Sequence, residues 1–562
     1  MAKYTRPARK VPVLRDSLGI GTLPELIGRS VDMYPERTAY AMPAAGGGVS
    51  EISYARVFEL VTKLARHLKE LGIEKGDHVA ILGENRPEWG ISLFALSWIG
   101  AVAVPLDARA PIESHKFIMS FSSCKALIAS GGFTAGIEAV RHELPGLRHI
   151  IPMESIEALS GKYAHGAALE NVTRADLLEI LFTSGTMGDP KGVMLTHGNV
   201  ISNVDDIHRT IEYFPTDRAF SILPIHHSYE CTGGLITTFG SGMSVFYARG
   251  LKPRELLEDM ISTRPTIWLT APLILEKLYL RIRREIAQQT GLKRIAAGIM
   301  PRQILQRKIR KSLGLDQIRM IVSGGAALPD WVSAGLSEYG IDVIQGYGLS
   351  EASPLITVNP LSRPKPGSIG MVIPSDEVEI RDVSAEGVGE ITAHGPNIML
   401  GYYKNPGATG ETLTEDGWLL TGDLGYCDED GYLYITGRKK AVIVTPGGKN
   451  VHPEEIEEKL TKSPLIEEAL VFSPDDSDIH AVIFPSFEEA GRRLASKGLA
   501  GTHENVWELL RDEVRRANAG LEPYKRVRHF AIRTEEFPKT TTRKIRRYLF
   551  KDLRLTPETR IL

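Results

Sequence analysis

Cysteine is nearly absent: Cys124, Cys231 and Cys427 lie far apart in 562 residues and match no metal-ligand spacing. That excludes a disulfide framework and leaves a reducing compartment as the simplest home. Nor does one sign of charge dominate, with 67 Lys plus Arg against 69 Asp plus Glu and a formal charge of -2, so nothing global draws the chain to nucleic acid or anionic lipid. The opening segment MAKYTRPARKVPVLRDS is basic but lacks the apolar run of a secretory signal, and no stretch offers about 18 uninterrupted apolar residues. A soluble cytoplasmic protein is expected. A Gly-x-Ser-x-Gly elbow is missing, which argues against a serine hydrolase of that type, and neither internal repeats nor low-complexity tracts occur.

What is present is the composition of a globular protein, 43% hydrophobic and 24% charged. The length exceeds one ordinary domain of about 50–250 residues, so several packed units are expected. Val61, Leu64, Leu68 and Leu71 recur at helical spacing, Gly72 closes the run, and a strand is predicted over 78–82. A helix from Leu93 and a strand over 101–105 repeat the unit. Further short strands are predicted at 221–223, 266–269, 319–322 and 342–344, each followed by Gly, Pro or Ser. Such alternation implies an α/β architecture, with ligands at the strand-end loops. Residues 276–319 form a helical stretch rich in Lys and Arg, read first as a solvated face and second as a contact with a membrane or a carrier protein. The texture changes after Gly437-Arg438-Lys439-Lys440, where a strand at 441–444, a Gly-rich turn and a helix from Pro453 suggest a small second domain.

The strongest local signal runs from Leu181 to His197, an apolar segment, a loop of hydroxyl and glycine residues, then Lys191. Glycines let backbone N–H groups approach phosphate oxygens, hydroxyls add donors and the lysine adds charge. It is not a Walker loop, since Pro190 and Gly192 stand where glycine and a hydroxyl residue are needed. The segment resembles the phosphate-binding signature of the adenylate-forming superfamily: acyl-CoA synthetases, peptide-synthetase adenylation domains and firefly luciferase. Ser323 to Pro329, Gln345 to Glu351, Gly417 to Gly425 and Tyr434 to Lys440 resemble further family segments in the family's order, so the likeness spans nearly the whole chain.

The resemblance implies a large N-terminal domain of layered α/β sheets (1–437), a hinge (438–440, pivoting at Lys440) and a small mobile α+β domain (441–562). It implies ATP binding by Thr183, Ser184, Gly185, Thr186, Gly188 and Lys191, by Gly324, Gly325 and Ala326, by Gly346, Tyr347 and Gly348, and by Asp423 and Arg438. Ser350 would contact the α-phosphate and Glu351 would hold Mg2+. Thr183 and Lys544 complete the implied catalytic set, Lys544 bridging carboxylate and phosphate. Gly447, Gly448 and Lys449 would line a coenzyme A tunnel, and His227, Gly233 and Gly234 the acyl pocket. Two departures stand out: Met187 replaces a hydroxyl residue and Arg543 a glycine; the Gly346-x-Gly348 segment is no Rossmann motif, because Glu351 holds the third glycine position.

Residues 265–277 resemble long-chain fatty acid synthetases, so the expected reaction is ATP-dependent activation of a fatty acid followed by thioester formation with coenzyme A. Metal ligation by His226 and His227 is disfavoured for want of a third ligand. Two other readings stay open: transfer to an acyl carrier protein, and a catalytically silent lipid- or nucleotide-binding protein. So do a peripheral membrane contact and a homodimer; nucleic acid is not expected.

Overall fold

The computed structural model describes residues 8–44, 48–183, 190–287, 301–385, 387–445, 449–474, 478–539, 545–550 and 553–555. Two large sheets organise the N-terminal part. In one, seven strands run in the order Gly401–Tyr402, Lys191–Thr196, Leu177–Thr183, Val102–Leu106, His78–Leu82, Ala126–Ala129, His149–Pro152, all in one direction except Lys191–Thr196, which is antiparallel to both its neighbours. In the other, nine strands centre on a parallel block that includes Val343–Gly348, Met320–Ser323, Ile267–Thr270, Arg218–Ser221 and Ser244–Tyr247. The inner strands are apolar on both faces, as burial on both sides requires: every residue of Val102–Leu106 and Ala126–Ala129 is buried.

Helices lie between the sheets. Helix Tyr54–Glu70 begins where the Ser53 side chain accepts a hydrogen bond from the Arg56 amide, and it buries Val57, Leu60, Val61, Leu64 and Leu68. Helix Pro87–Trp98 is buried on all sides, which an ordinary amphipathic pattern would not allow. Leu93 and Phe94 share one core with Val79 and Ile81 of one sheet and Val245 and Ile267 of the other. Truncating such a side chain to Ala costs about 2–5 kcal/mol.

A four-stranded antiparallel sheet, Glu377–Arg381, Gly389–His394, Leu419–Cys427 and Leu433–Arg438, follows. Beyond it the chain builds a second core of its own. Strands Ile466–Phe472, Ile479–Pro485 and Val527–Ile532 form a sheet, and Leu460 of helix Pro453–Thr461, Leu510 of helix His503–Ala519 and the sheet residues Ile483 and Phe530 join in one cluster.

Several expected strands move. The 221–223 strand is observed as Arg218–Ser221, because the Arg218 guanidinium bonds the Thr263 and Arg264 carbonyls at the strand's start and the apolar Ile222 and Leu223 continue past its end. Of 441–444 only Ile443–Val444 pairs as a strand; Lys439–Ala441 forms a 3-10 turn. Three others shift by one residue, to Val102–Leu106, Ile267–Thr270 and Met320–Ser323, and the strand expected at 342–344 starts one residue later and runs on to Gly348. In the basic stretch, helices Pro272–Ala287 and Arg302–Ser312 form, and 288–300 lies outside the described residues.

Candidate active site

Strand ends bring the expected residues together. Thr183 and Lys191 face each other as register partners at the open end of an antiparallel pair. The loop between them carries Ser184, Gly185, Thr186 and Gly188, which lie outside the described residues. Gly324, Gly325 and Ala326 follow strand Met320–Ser323; Gly324 packs so closely that a Cβ there would sit 3.0 Å from the Tyr229 ring, and Gly325 has a φ of +81°. Gly346, Tyr347 and Gly348 end the neighbouring strand. At Gly348 a side chain is impossible without rebuilding, since its Cβ would lie 1.7 Å from the Pro354 carbonyl oxygen. That close approach turns the chain into the short 3-10 helix Ser350–Ala352, which places Glu351.

A polar chain joins the nine-stranded and the four-stranded sheets. Tyr347 donates its hydroxyl proton to Asp423 Oδ2 at 2.6 Å, and Arg438 Nε lies 2.7 Å from Asp423 Oδ1. Asp423 and Arg438 are cross-strand register partners, so the ladder itself sets the ion pair. Burial, and then the carboxylate beside it, push the Tyr347 phenol well above its ordinary value.

Tyr402, which the sequence did not single out, joins two more of the expected residues. Its hydroxyl donates to Glu351 Oε1 at 2.7 Å, and its ring centroid lies 4.9 Å from the Lys191 Nζ. Burial, followed by the Glu351 charge, raises the Tyr402 phenol. The only local signal was a Gly-Tyr pair ahead of the helix start at Asn405-Pro406, where Asn405 accepts the Ala408 amide. Ser350 Oγ lies 3.3 Å from Ser228 Oγ, linking this group to the segment after strand Arg218–Ser221.

That segment is buried and short of charge. The His226 and His227 rings lie 4.1 Å apart, and burial pushes both imidazoles down to about 3, so they are neutral at physiological pH. His226 Nε2 stands 3.6 Å from Asp107 Oδ1, and among the described residues no group of three His, Cys, Asp or Glu could hold a metal ion. Glu230 is 2% exposed, accepts the Ser221 hydroxyl and is pushed up to about 8 by burial. Glu179 is pushed up to about 7 for the same reason. Gly233 and Gly234 sit just beyond, within the π-helix Tyr229–Ile236. The room expected at Gly234 is filled by Glu230, whose Cδ is 2.7 Å from where a Cβ would be.

Other expected residues stand apart. Lys440 lies in the 3-10 turn Lys439–Ala441. Lys449 closes a hairpin in which its amide donates to Thr445 Oγ1 at 3.1 Å, whereas Gly447 and Gly448 lie outside the described residues. Lys544 does too; its neighbour Ile545 bridges to Lys539, which pairs with Glu468.

The model of the family described as AMP-binding enzyme matches residues 27–403, and that of its C-terminal domain residues 440–552. The chain belongs to this family. It is an AMP-forming acid–thiol ligase with the adenylate-forming fold. Long-chain-fatty-acid–CoA ligase FadD15 of Mycobacterium bovis is 30% identical over 541 residues, 88% of each chain. The chloroplastic long-chain-fatty-acid–[acyl-carrier-protein] ligase AEE15 of Arabidopsis thaliana is 26% identical, covering 84% of this chain and 77% of its own. Among solved structures, the anthranilate CoA ligase AuaEII in complex with anthranoyl-AMP superposes with a TM-score of 0.77 at 24% identity, over 94% of this chain and 96% of that one.

Proposed function

We propose that this ligase joins a long-chain fatty acid to the α-phosphate of ATP and passes the acyl group to coenzyme A, releasing pyrophosphate and AMP. The observation that carries the reading is the gathering of Lys191, Glu351 and Ser350 around Tyr402 and Ser228, beside the Tyr347–Asp423–Arg438 chain. A carboxylate is a poor acyl donor, whereas an acyl-adenylate expels AMP readily. The Tyr347 ring offers a stacking face for adenine, and Asp423 and Arg438 offer charged hydrogen-bond partners for ribose hydroxyls. Lys191, Thr183 and the loop they flank would hold the β- and γ-phosphates, and Ser350 the α-phosphate. Their donors oppose the negative charge that gathers as pyrophosphate departs.

Glu351 fits a Mg2+ ion: it is a half-buried carboxylate beside the phosphate loop, and this hard cation takes one or two carboxylates plus phosphate oxygens. Mg2+ held there would neutralise charge on the leaving pyrophosphate. Lys544 would bridge carboxylate and α-phosphate in adenylation. Rotation of the small domain at Lys440 would then withdraw it and bring Gly447, Gly448 and Lys449 forward as the pantetheine channel. His227, Gly233 and Leu269 would border the acyl chain.

The test is ATP–pyrophosphate exchange across saturated acids of rising length, with benzoate and cinnamate as contrasts, followed by addition of coenzyme A. Exchange peaking on long aliphatic acids, with acyl-CoA formed, is expected; an aryl preference would overturn the substrate, and silence the reading as a whole.

A second reading, delivery to an acyl carrier protein, is favoured by helix Arg302–Ser312. This helix has five basic residues and no acid; Arg302 and Arg310 are bound to backbone carbonyls, and among the described residues nothing pairs with Arg307, Lys308 or Lys311. The name of the Arabidopsis relative AEE15 adds to it. Competition between coenzyme A and a holo carrier protein decides between the acceptors.

A further inference from the structure

Residues Tyr229–Ile236 wind as a π-helix, a rare geometry that recurs at functional sites. Its two glycines have unlike surroundings. A Cβ on Gly233 would meet apolar atoms, Leu269 Cδ2 at 3.3 Å and the Tyr229 ring at 3.8 Å. At Gly234 the three nearest atoms to the same Cβ all belong to the Glu230 carboxyl group, with Oε1 at 2.8 Å and Oε2 at 3.0 Å. The carboxyl is fixed from behind: Ser221 donates to Oε1, and Asn85 Nδ2 donates to the Ser221 hydroxyl at 3.0 Å. Oε2 is buried and has no partner.

A leucine would fill this volume without stranding a polar atom, so packing alone does not account for an acid here. Burial keeps Glu230 protonated at neutral pH, and a neutral carboxyl can border an apolar ligand where a carboxylate could not. We propose that Glu230 is a specificity-determining residue of the acyl site: its carboxyl group is the wall beside Gly234, closing that side to the substrate so that an unbranched chain is preferred over a branched one. This inference rests on the acyl-site reading above.

The experiment compares kcat/KM in ATP–pyrophosphate exchange for a straight saturated acid and a methyl-branched acid of equal length. The wild type should favour the straight acid. Glu230→Ala opens the wall and should raise the branched-to-straight ratio about tenfold, the scale on which a pocket discriminates a methyl-sized difference. Glu230→Gln, equal in shape, should keep the wild-type ratio. If the alanine variant fails to fold, Glu230→Asp withdraws the carboxyl by one methylene and should move the ratio the same way by less. An unchanged ratio in a folded Ala or Asp variant overturns the proposal, as does a Gln variant that behaves like Ala. If the wild type exchanges pyrophosphate with no aliphatic acid at all, the acyl-site reading fails first, and that outcome is distinct from the other two.

Discussion

The two sides of the candidate site handle polar groups in opposite ways. Tyr347, Asp423 and Arg438 are partnered with one another, and charge meets opposite charge at 2.7 Å. Around His226, Glu230 and Glu179 burial works toward the neutral forms instead, and His226 Nε2, Glu230 Oε2 and Glu179 Oε1 have no hydrogen-bond partner. A polyphosphate needs fixed charges that stay charged. An alkyl chain needs walls from which charge has been removed, and burial removes it by moving the pKa rather than by replacing the residue.

Breaking the charged side should have the largest effect. Lys544→Ala is expected to lose adenylation by about a thousandfold yet still form thioester from supplied acyl-adenylate, measured as separate half-reactions; equal loss in both would refute the division of labour. Asp423→Ala removes the acceptor shared by Tyr347 and Arg438. It should raise the KM for ATP by about a hundredfold and leave the KM for the acid within a factor of about three, from initial-rate kinetics. Tyr402→Phe deletes the hydroxyl that aims Glu351 and keeps the ring against Lys191. A fall in kcat of about tenfold, partly offset by raised Mg2+, is expected; no change would detach Tyr402 from the site.

The neutral side should respond to pH through stability. Glu230 titrates at about 8 in the fold and near 4.5 when unfolded, so between those values the unfolded chain has lost a proton that the fold retains. Stability therefore falls as pH rises from about 4.5 to about 8 and then levels. His226 works in reverse: about 3 in the fold and about 6.5 unfolded, it withdraws stability as pH falls through that window. Thermal melts should show a maximum between about pH 5 and 6.5 from this pair. Glu230→Gln should lessen the loss between pH 6 and 8 by roughly 2–4 °C in Tm, and an unaltered slope would show that Glu230 is ionised in the fold.

Much of this was legible along the chain because it depends on local pattern. The spacing of Val61, Leu64 and Leu68 located a helix, and five consecutive apolar-leaning residues located strand His78–Leu82 to its boundaries. Thr183 and Lys191 were singled out by the glycines and hydroxyls between them, and the structure pairs these two residues in register. Tyr402 was missed because its place depends on a two-residue strand pairing Gly401 with Met194 and Tyr402 with Val193, a contact across about 200 residues with no local trace. Gly234 was located, but its purpose was not: a glycine announces that space is needed, not what fills it, and here Glu230, four residues earlier, does. The strand expected at 221–223 failed because hydrophobicity alone does not mark where pairing stops.

Arg438 is both the partner of Asp423 and the last residue of its strand, immediately ahead of the turn Lys439–Ala441 that separates the two cores. The proposed nucleotide pocket and the proposed hinge therefore share a residue. On the proposed reading, a ribose that drew Asp423 away from Arg438 would act two residues from the pivot at Lys440, so nucleotide occupancy and rotation of the small domain would be linked through the backbone itself.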